Sequence, residues 1–448
     1  MNPPSELEKY LQEQSVEGLP ESQGEFSISK AKALEKMASY QFPFEGAWLL
    51  KIIQCAVSSG QVESIEIRLL RKVARINFYG NLNFSLEQLE SALFDPEYQH
   101  RRDLTHLVTA LRYVGFHEKR SYMLKLGHQD QALVWNGSQL NRCPCNSAES
   151  VTVIEVSNKS EDEERDFFGI KAVFRGVRRN ADAVTSLTKW AHVCPIPLTV
   201  DGRRIDSLEL SPSHGFGPKS QPLIMRFQEC KDLPSFSIPE SRDLKVESPV
   251  SSALRAFTAS SREYPAQLEE TSMAYILAAH IEYENRVKTK WNSALGDSVF
   301  CWIADGVITD VESLGCESLN FSVVCFLSAE GLATDISGLK LNDSPERSTR
   351  RVIAKRSLRS SLLDDQSQRF DFELINIEAR NDAKMGSGLL ALFGVPMCFL
   401  PGGAALGAAT VVFGMTLGKF LHRNRSKIRE LEESYQECLA IIRMSLEV

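Results

Sequence analysis

The chain has 448 residues, of which 43% are hydrophobic and 24% charged, values typical of globular proteins. Its net charge of −7 and its pI near 5.8 argue against a general electrostatic preference for nucleic acid. The length predicts about three domains. The polar, acidic N-terminus has no apolar core of a secretory signal, so we expect the ten cysteines to be reduced in the cytosol.

The N-terminal part predicts alternating helices and strands after a mobile segment at residues 1–25. Apolar side chains recur at helical spacing over residues 44–59, and Gly60 follows as a stop signal. Two strands near residues 65–67 and 73–78 come next, and Ser85 begins a capped helix. Later predictions are a helix at 86–93, a helix at 104–114, strands at 122–126, 132–135 and 151–156, a charged loop at 159–165, a helix at 182–192, and an extended run at 195–200.

This order resembles the ATPase domain of the gyrase, histidine kinase and chaperone type, the GHKL or Bergerat fold, over residues 26–200. The resemblance implies a two-layer α/β sandwich. In that family the first helix carries a Glu that orients the attacking water and, four residues later, an Asn that binds magnesium. The following hairpin ends in Asp-x-Gly-x-Gly, and its Asp binds adenine.

The chain departs from the family at these positions. Lys51 replaces the Glu and Cys55 replaces the Asn, although magnesium prefers oxygen ligands. Phe78 replaces the adenine Asp, Gly80 is retained, and Leu82 replaces the second Gly. The sequence therefore favours a degenerate pocket with no catalytic residue, no cofactor and no metal. A divergent nucleotide-binding ATPase and an unrelated α/β sandwich stay as alternatives.

Cys143-Pro144-Cys145 is the one close cysteine pair in the sequence. Without a second pair at zinc-finger spacing, it favours a plain loop over a metal site.

The family resemblance implies a second α/β domain, which we place at residues 201–345. Predicted elements of the second domain are a strand at 223–227, a long loop at 234–265, a helix at 274–290, and strands at 299–303, 306–309 and 321–327.

A basic helix is predicted to start at Asp343-Ser344-Pro345 and to begin a helical linker over residues 346–384. Basic side chains near an anionic bilayer contribute about 1 kcal/mol each to binding. We predict contacts with anionic lipid headgroups, and a solvated helix face is the alternative. The predicted contacts on this helix are Arg350, Arg351, Lys355 and Arg356.

Residues 385–418 carry no charge over 34 positions, which is long enough to enter a bilayer. Many glycines and the turn at Pro401-Gly402-Gly403 favour a tight membrane-active hairpin, at residues 385–420, over a single span. A hydrophobic hairpin buried in a soluble core is the alternative. The predicted membrane residues are Leu389, Leu390, Phe393, Phe399, Leu400, Gly403, Gly407, Val411, Val412, Phe413, Gly414 and Gly418.

Basic residues follow this segment at once, and such a cluster prefers the cytoplasmic side of a membrane. We expect Lys419, Arg423 and Arg425 to contact anionic lipid. Residues 421–448 predict a C-terminal helix with apolar positions at heptad spacing, which allows a homo-oligomer.

Together these patterns predict an α+β protein with a GHKL-like domain, a second α/β domain and a C-terminal helical region with a hydrophobic hairpin. The predicted function is non-catalytic sensing or interaction. We expect a cytoplasmic protein whose hairpin associates with or perturbs the membrane at its inner face, and a sharper version of this hypothesis makes the hairpin a releasable effector. The predicted partners are membrane lipid and a protein of unknown identity, without nucleic acid. A divergent GHKL-type ATPase and a soluble structural scaffold are the alternatives.

Overall fold

A computed structural model describes residues 42–95, 101–127, 129–145, 151–160, 170–206, 208, 220–239, 270–280, 298–315 and 321–364. Within these ranges the protein is a mixed α/β structure with five α-helices and fifteen strands, which confirms the predicted α+β class. None of the described helices is long and apolar enough to cross a bilayer. The segments predicted at residues 1–25, 385–420 and 421–448 lie outside the described residues.

The helices and strands are numbered in chain order. The helices are α1 (Ala47–Ser59), α2 (Leu86–Phe94), α3 (Arg102–Arg112), α4 (Ile170–Trp190) and α5 (Pro345–Asp364), and a π-helix at Tyr113–His117 follows α3. The strands are β1 (Val62–Leu69), β2 (Val73–Gly80), β3 (Arg120–Lys125), β4 (Gln131–Trp135), β5 (Leu140–Pro144), β6 (Val151–Ser160), β7 (Leu198–Val200), β8 (Arg203–Arg204), β9 (Ser220–Gln228), β10 (Phe236–Ser237), β11 (Glu270–Thr271), β12 (Met273–His280), β13 (Val299–Ala304), β14 (Val307–Ser313) and β15 (Phe321–Ser328).

The N-terminal unit, residues 42–206, contains an eight-stranded sheet in the order β5-β4-β3-β6-β2-β1-β7-β8. Its strands pair antiparallel except for the parallel pair β1–β7. Side chains of β3 alternate between buried and half-buried positions, as expected when helices cover one face of a sheet. Most of the large apolar core lies between that face and the helices α1 to α4.

Local signals explain why α1 and α2 form where the sequence predicted them. Helix α1 ends at Gly60, which adopts the left-handed conformation and donates its N–H to the carbonyl of Val57. Helix α2 begins at Ser85, whose hydroxyl accepts from the backbone of Gln88, while the Gln88 side chain accepts from the backbone of Ser85. This reciprocal pair is a capping box, and it confirms the predicted start of the helix.

The C-terminal unit, residues 220–364, contains a five-stranded sheet in the order β14-β13-β15-β12-β9. The helix predicted at residues 274–290 is wrong in its first part, because Met273–His280 forms strand β12. Strand β12 pairs on both sides, with β9 and with β15. A strand in the middle of a sheet reads as a continuous apolar run, which periodicity alone does not distinguish from a buried helix.

Other differences are smaller. The loop predicted around Cys143 is the edge strand β5, and β6 continues to Ser160 into the predicted charged loop. Helix α4 starts twelve residues before the predicted position 182, at Ile170. Much of the loop predicted at 234–265 lies outside the described residues, although β10 falls within its first part.

The two units share part of one core. Val307 of β14 and Leu339, which follows β15 in sequence, are buried in the same apolar cluster as the side chains of α1 and α3. A second cluster fills the C-terminal unit, with Ile276, Cys301 and Phe326 among its members. The apolar contact across the junction means that the C-terminal unit completes the packing of the N-terminal one.

Candidate functional site at the junction of the two units

The candidate site lies where helices α1 and α3 of the N-terminal unit meet two segments of the C-terminal unit. One segment is the turn between β13 and β14, and the other is the loop at residues 329–342 that precedes α5. The turn requires left-handed backbone at Asp305, with φ of 48°. This conformation is uncommon for residues other than glycine but less costly for Asp than for most.

Lys51 on α1 is the first predicted pocket residue in this junction. Its side chain is buried, and its ammonium group donates to the carbonyl oxygen of Gly338 over 3.3 Å. Gly338 has φ of +62°, and a Cβ at this position would lie 2.7 Å from the Lys51 Nζ. Burial lowers the pKa of Lys51 to about 8, and the nearby carboxylates of Asp305 and Asp335 oppose that shift.

His106 on α3 connects Lys51 to the turn. Its Nδ1 lies 3.5 Å from the Lys51 Nζ and its Nε2 lies 2.9 Å from an oxygen of Asp305. An ammonium group can only donate hydrogen bonds, so Nδ1 accepts from Lys51. The neutral ring therefore carries its proton on Nε2, from which it donates to Asp305. Burial lowers the pKa of His106, while the hydrogen bond to Asp305 raises it by less.

Arg102 and Gln54 add polar contacts across the same junction. The Arg102 Nε donates to Asp305 over 2.7 Å, and its Nη1 lies 3.2 Å from the carboxylate of Glu330. Gln54 of α1 is buried and donates to the carbonyl of Ala304 over 3.1 Å. Buried polar groups hold their partners in a defined geometry, because a lost hydrogen bond leaves a desolvated group behind.

The remaining predicted pocket residues are enclosed in the N-terminal unit. Cys55, Phe78 and Leu82 all have 1% exposure or less and belong to the apolar core. Burial raises the pKa of Cys55 well above its ordinary value, so the thiol stays protonated and unsuited to binding a cation. These side chains perform a packing role.

Gly80 has a structural explanation of its own. Its φ is +127°, and a Cβ here would lie 2.2 Å from the carbonyl oxygen of Gln61 on the approach to the neighbouring strand. The end of the β1–β2 hairpin therefore requires glycine whether or not a nucleotide binds.

An open cleft of about 410 Å³ lies beside the junction. Arg102 is a cation on its wall, whereas Glu270, Asp305 and Glu330 are anions. This excess of carboxylates disfavours a polyphosphate ligand, since like charges repel in a partly desolvated cleft. The volume suits a small molecule or a few side chains of a partner.

The basic helix α5 packs against the C-terminal sheet. Ser344 caps it by accepting from the backbone of Arg347, and the buried Arg347 guanidinium lies 2.9 Å from Asp310 and 3.1 Å from Glu312. Among the predicted lipid contacts, Arg351 pairs with Glu312 over 2.6 Å and Arg350 donates to the carbonyl of Ser328.

The other predicted lipid contacts differ in position. Lys355 is half-buried on α5, whereas Arg356 is exposed. Lys419, Arg423 and Arg425, together with every residue predicted to enter the membrane, lie outside the described residues. Within the part of the chain that the structure describes, no cluster of three or more His, Cys, Asp or Glu side chains is arranged to hold a metal ion.

Sequence reasoning identified Lys51 but not its partners. Neither His106 nor Asp305 stood out, because they are 199 residues apart and only the fold brings them together. One available signal was the Asp305-Gly306 pair between two strands, which is typical of a tight hairpin turn. Another was a lysine within an apolar helical stripe, which requires a buried partner.

No family model and no curated protein matches the chain. Among solved structures, the chain is similar to one described as the crystal structure of the N terminal domain of a DNA repair protein, with 8% sequence identity. The match covers 75% of this chain and 99% of that chain, with a TM-score of 0.39. A likeness this distant carries no argument about function.

Proposed function

We propose that this protein is a non-catalytic interaction protein, in which a body built around a degenerate GHKL-type pocket is joined to a C-terminal segment that associates with a membrane. One observation carries the proposal. Lys51 has 3% exposure and bonds to the C-terminal unit, while Cys55, Phe78 and Leu82 are enclosed by the core. Side chains engaged in this way are not available to a nucleotide.

The GHKL assignment is supported by the order of elements. Helix α1, the β1–β2 hairpin, the capped helix α2 and helix α3 follow one another as that fold requires, and β7 returns beside β1. At the positions where the family uses oxygen ligands, this chain has an ammonium group and a buried thiol. An active site that needs a carboxylate to orient water does not function with a lysine in its place.

The membrane assignment rests on the uncharged segment at residues 385–418 and the basic residues after it. An apolar segment of this length requires either lipid or a covering protein surface, because exposure to water is unfavourable. Its glycines at Gly403 and Gly407, and at Gly414 and Gly418, have the spacing that lets helices approach closely in lipid. Association of several chains through these glycines would make the segment an effector that perturbs the bilayer.

Sedimentation with lipid vesicles tests the membrane assignment. Full-length protein is expected to sediment with vesicles of mixed neutral and anionic lipid and to release an entrapped dye. A variant in which residues 385–418 are replaced by a Gly/Ser linker of equal length should remain in the supernatant. The matched variants Arg350→Gln and Arg356→Gln show whether sedimentation with vesicles depends on a basic residue of α5 that bonds within the protein or on one that is exposed.

Equal sedimentation and dye release by the full-length and linker proteins would contradict the membrane assignment. A divergent ATPase is the competing function, and magnesium-ATP binding separates it from the present proposal. The acidic cleft beside Asp305 does not favour it, because one arginine faces three carboxylates there.

A further inference from the structure

His106 is held between a cation and an anion that come from different parts of the fold. Lys51 reaches it from α1 over 3.5 Å, and Asp305 reaches it from the turn between β13 and β14 over 2.9 Å. The side chains of His106 and Asp305 are 14% and 12% exposed, so solvent screens this contact little. The imidazole is therefore one of several polar links between the two units, beside the contacts of Lys51, Arg102 and Gln54 described above.

Only the neutral form of the imidazole fits both neighbours. The Lys51 ammonium donates to Nδ1, and the Nε2–H donates to Asp305. A protonated ring carries hydrogens on both nitrogens. Its Nδ1–H would then face the Lys51 ammonium, where the hydrogen bond is lost and two positive charges lie close together in a desolvated site.

We propose that Lys51, His106 and Asp305 form a pH-sensitive latch between the two units, which is closed while His106 is neutral and opens when the imidazole takes up a proton. Opening moves the turn at Asp305 and the loop around Gly338 away from α1 and α3. Val307 and Leu339, which complete the core of the N-terminal unit, are then withdrawn from it. The latch does not depend on membrane association or on nucleotide binding.

The charged groups around His106 have opposing effects on its protonation. Lys51 on α1 and Arg102 on α3 disfavour protonation, whereas Asp305 favours it. Asp335 in the loop acts on Lys51, and Glu330 pairs with Arg102. Burial outweighs the attraction of Asp305 and lowers the pKa of His106, so the ring is neutral at neutral pH.

The direction of the pH effect follows from this shift. An unfolded or opened chain binds the histidine proton near pH 6.5, about the ordinary value, whereas the closed junction binds it only at lower pH. Closure therefore weakens as the pH falls through the ordinary histidine pKa towards the lowered one. In that window the opening constant should rise by about tenfold per pH unit, since one proton is coupled to opening.

Amide hydrogen exchange of the full-length protein, corrected for intrinsic rates, tests the latch between about pH 7.5 and about pH 5.5. Wild-type peptides covering residues 300–310 and 333–341 should lose protection steeply on acidification. The variant His106→Gln keeps one acceptor and one donor without titrating, so its protection should stay flat. The matched control His117→Gln, on an exposed histidine, should behave as the wild type does.

Nitrogen-15 spectra of histidine-labelled wild type keep the test decisive if His106→Gln does not fold. The His106 ring should appear as the neutral form protonated on Nε2 at about pH 7.5, and it should titrate below the ordinary histidine value together with the loss of protection. Three results would overturn the latch: a charged His106 at neutral pH, no pH dependence of exchange in the wild type, or the full wild-type dependence in His106→Gln.

Discussion

At the scale of single residues, the junction combines apolar packing with one buried lysine. Lys51 stands where the family resemblance predicts a carboxylate, and its ammonium group contacts the carbonyl of Gly338 and the ring of His106. That Lys51 and Cys55 are unsuited to catalysis stays a prediction from the sequence. The sequence was not sufficient to predict the contact of Lys51 with Gly338, because it spans 287 residues and arises only from the tertiary fold.

Lys51 makes the stability of the protein depend on pH in alkaline solution. The folded chain releases this proton near pH 8, whereas the unfolded chain holds it until about 10.5. The unfolded state therefore binds more protons between these values, and the free energy of unfolding rises with pH, by up to about 1.4 kcal/mol per unit. Urea unfolding between about pH 7.5 and about pH 9.5 measures this slope.

Lys51→Met should remove that contribution, and the control Lys340→Met, at an exposed lysine, should retain it. The comparison is made between variants at each pH, so that other titrating groups cancel. An identical slope in Lys51→Met and wild type would show that Lys51 does not lose its proton in this range.

Gly338 tests the close approach of the loop to α1. Gly338→Ala places a Cβ 2.7 Å from the Lys51 Nζ and also imposes the left-handed backbone penalty. Gly202→Ala, at φ of +77° with nothing within 4 Å of its Cβ, imposes the backbone penalty alone. We expect losses of stability of about 2–3 kcal/mol for Gly338→Ala and about 1 kcal/mol for Gly202→Ala in urea unfolding. Equal losses would mean that the junction tolerates the extra methyl group.

At the scale of elements, local signals predicted the N-terminal unit well. Gly60 and Ser85 mark the end of α1 and the start of α2 through backbone and capping geometry, both of which are local. Strand β12 was predicted as a helix because its run of apolar residues reflects burial on both faces of a sheet, and the neighbouring strands that bury it are distant in sequence.

Helix α5 shows the same contrast between local pattern and tertiary contact. Its basic residues predicted a lipid-facing or solvated surface, yet Arg347 is buried over the ring of Trp302 and between the carboxylates of β14. The positive charge of α5 therefore contributes to anchoring the helix on the sheet. Whether its exposed residues also bind lipid is addressed by the vesicle experiment.

Arg347→Met should detach this anchor. The change leaves Asp310 without its arginine in a partly buried site, and we expect a loss of about 2 kcal/mol, below the cost of a fully buried pair because the carboxylates are one-fifth exposed. Arg356→Met, on the exposed face, should change stability by less than about 0.5 kcal/mol. Urea unfolding measures both, and equal effects would contradict the anchoring role.

At the scale of the whole molecule, two units share a core and a polar junction, and a long uncharged segment follows them in sequence. The α+β class could be predicted because hydrophobic periodicity reports the alternation of helices and strands. The joining of the units could not, since Val307 and Leu339 look like ordinary core residues of their own unit until their neighbours are known. The assignment of residues 385–418 to a membrane rests on composition and stays a prediction.

The predicted pocket positions are closed by the chain itself, and we predict that they bind no nucleotide. Isothermal titration of full-length protein with magnesium-ATP at neutral pH measures this directly. We predict no binding heat at millimolar nucleotide. We also predict that the nucleotide leaves the protection of the α1 amides against hydrogen exchange unchanged. Micromolar binding that is lost in Lys51→Met, but kept in Lys340→Met, would contradict this prediction.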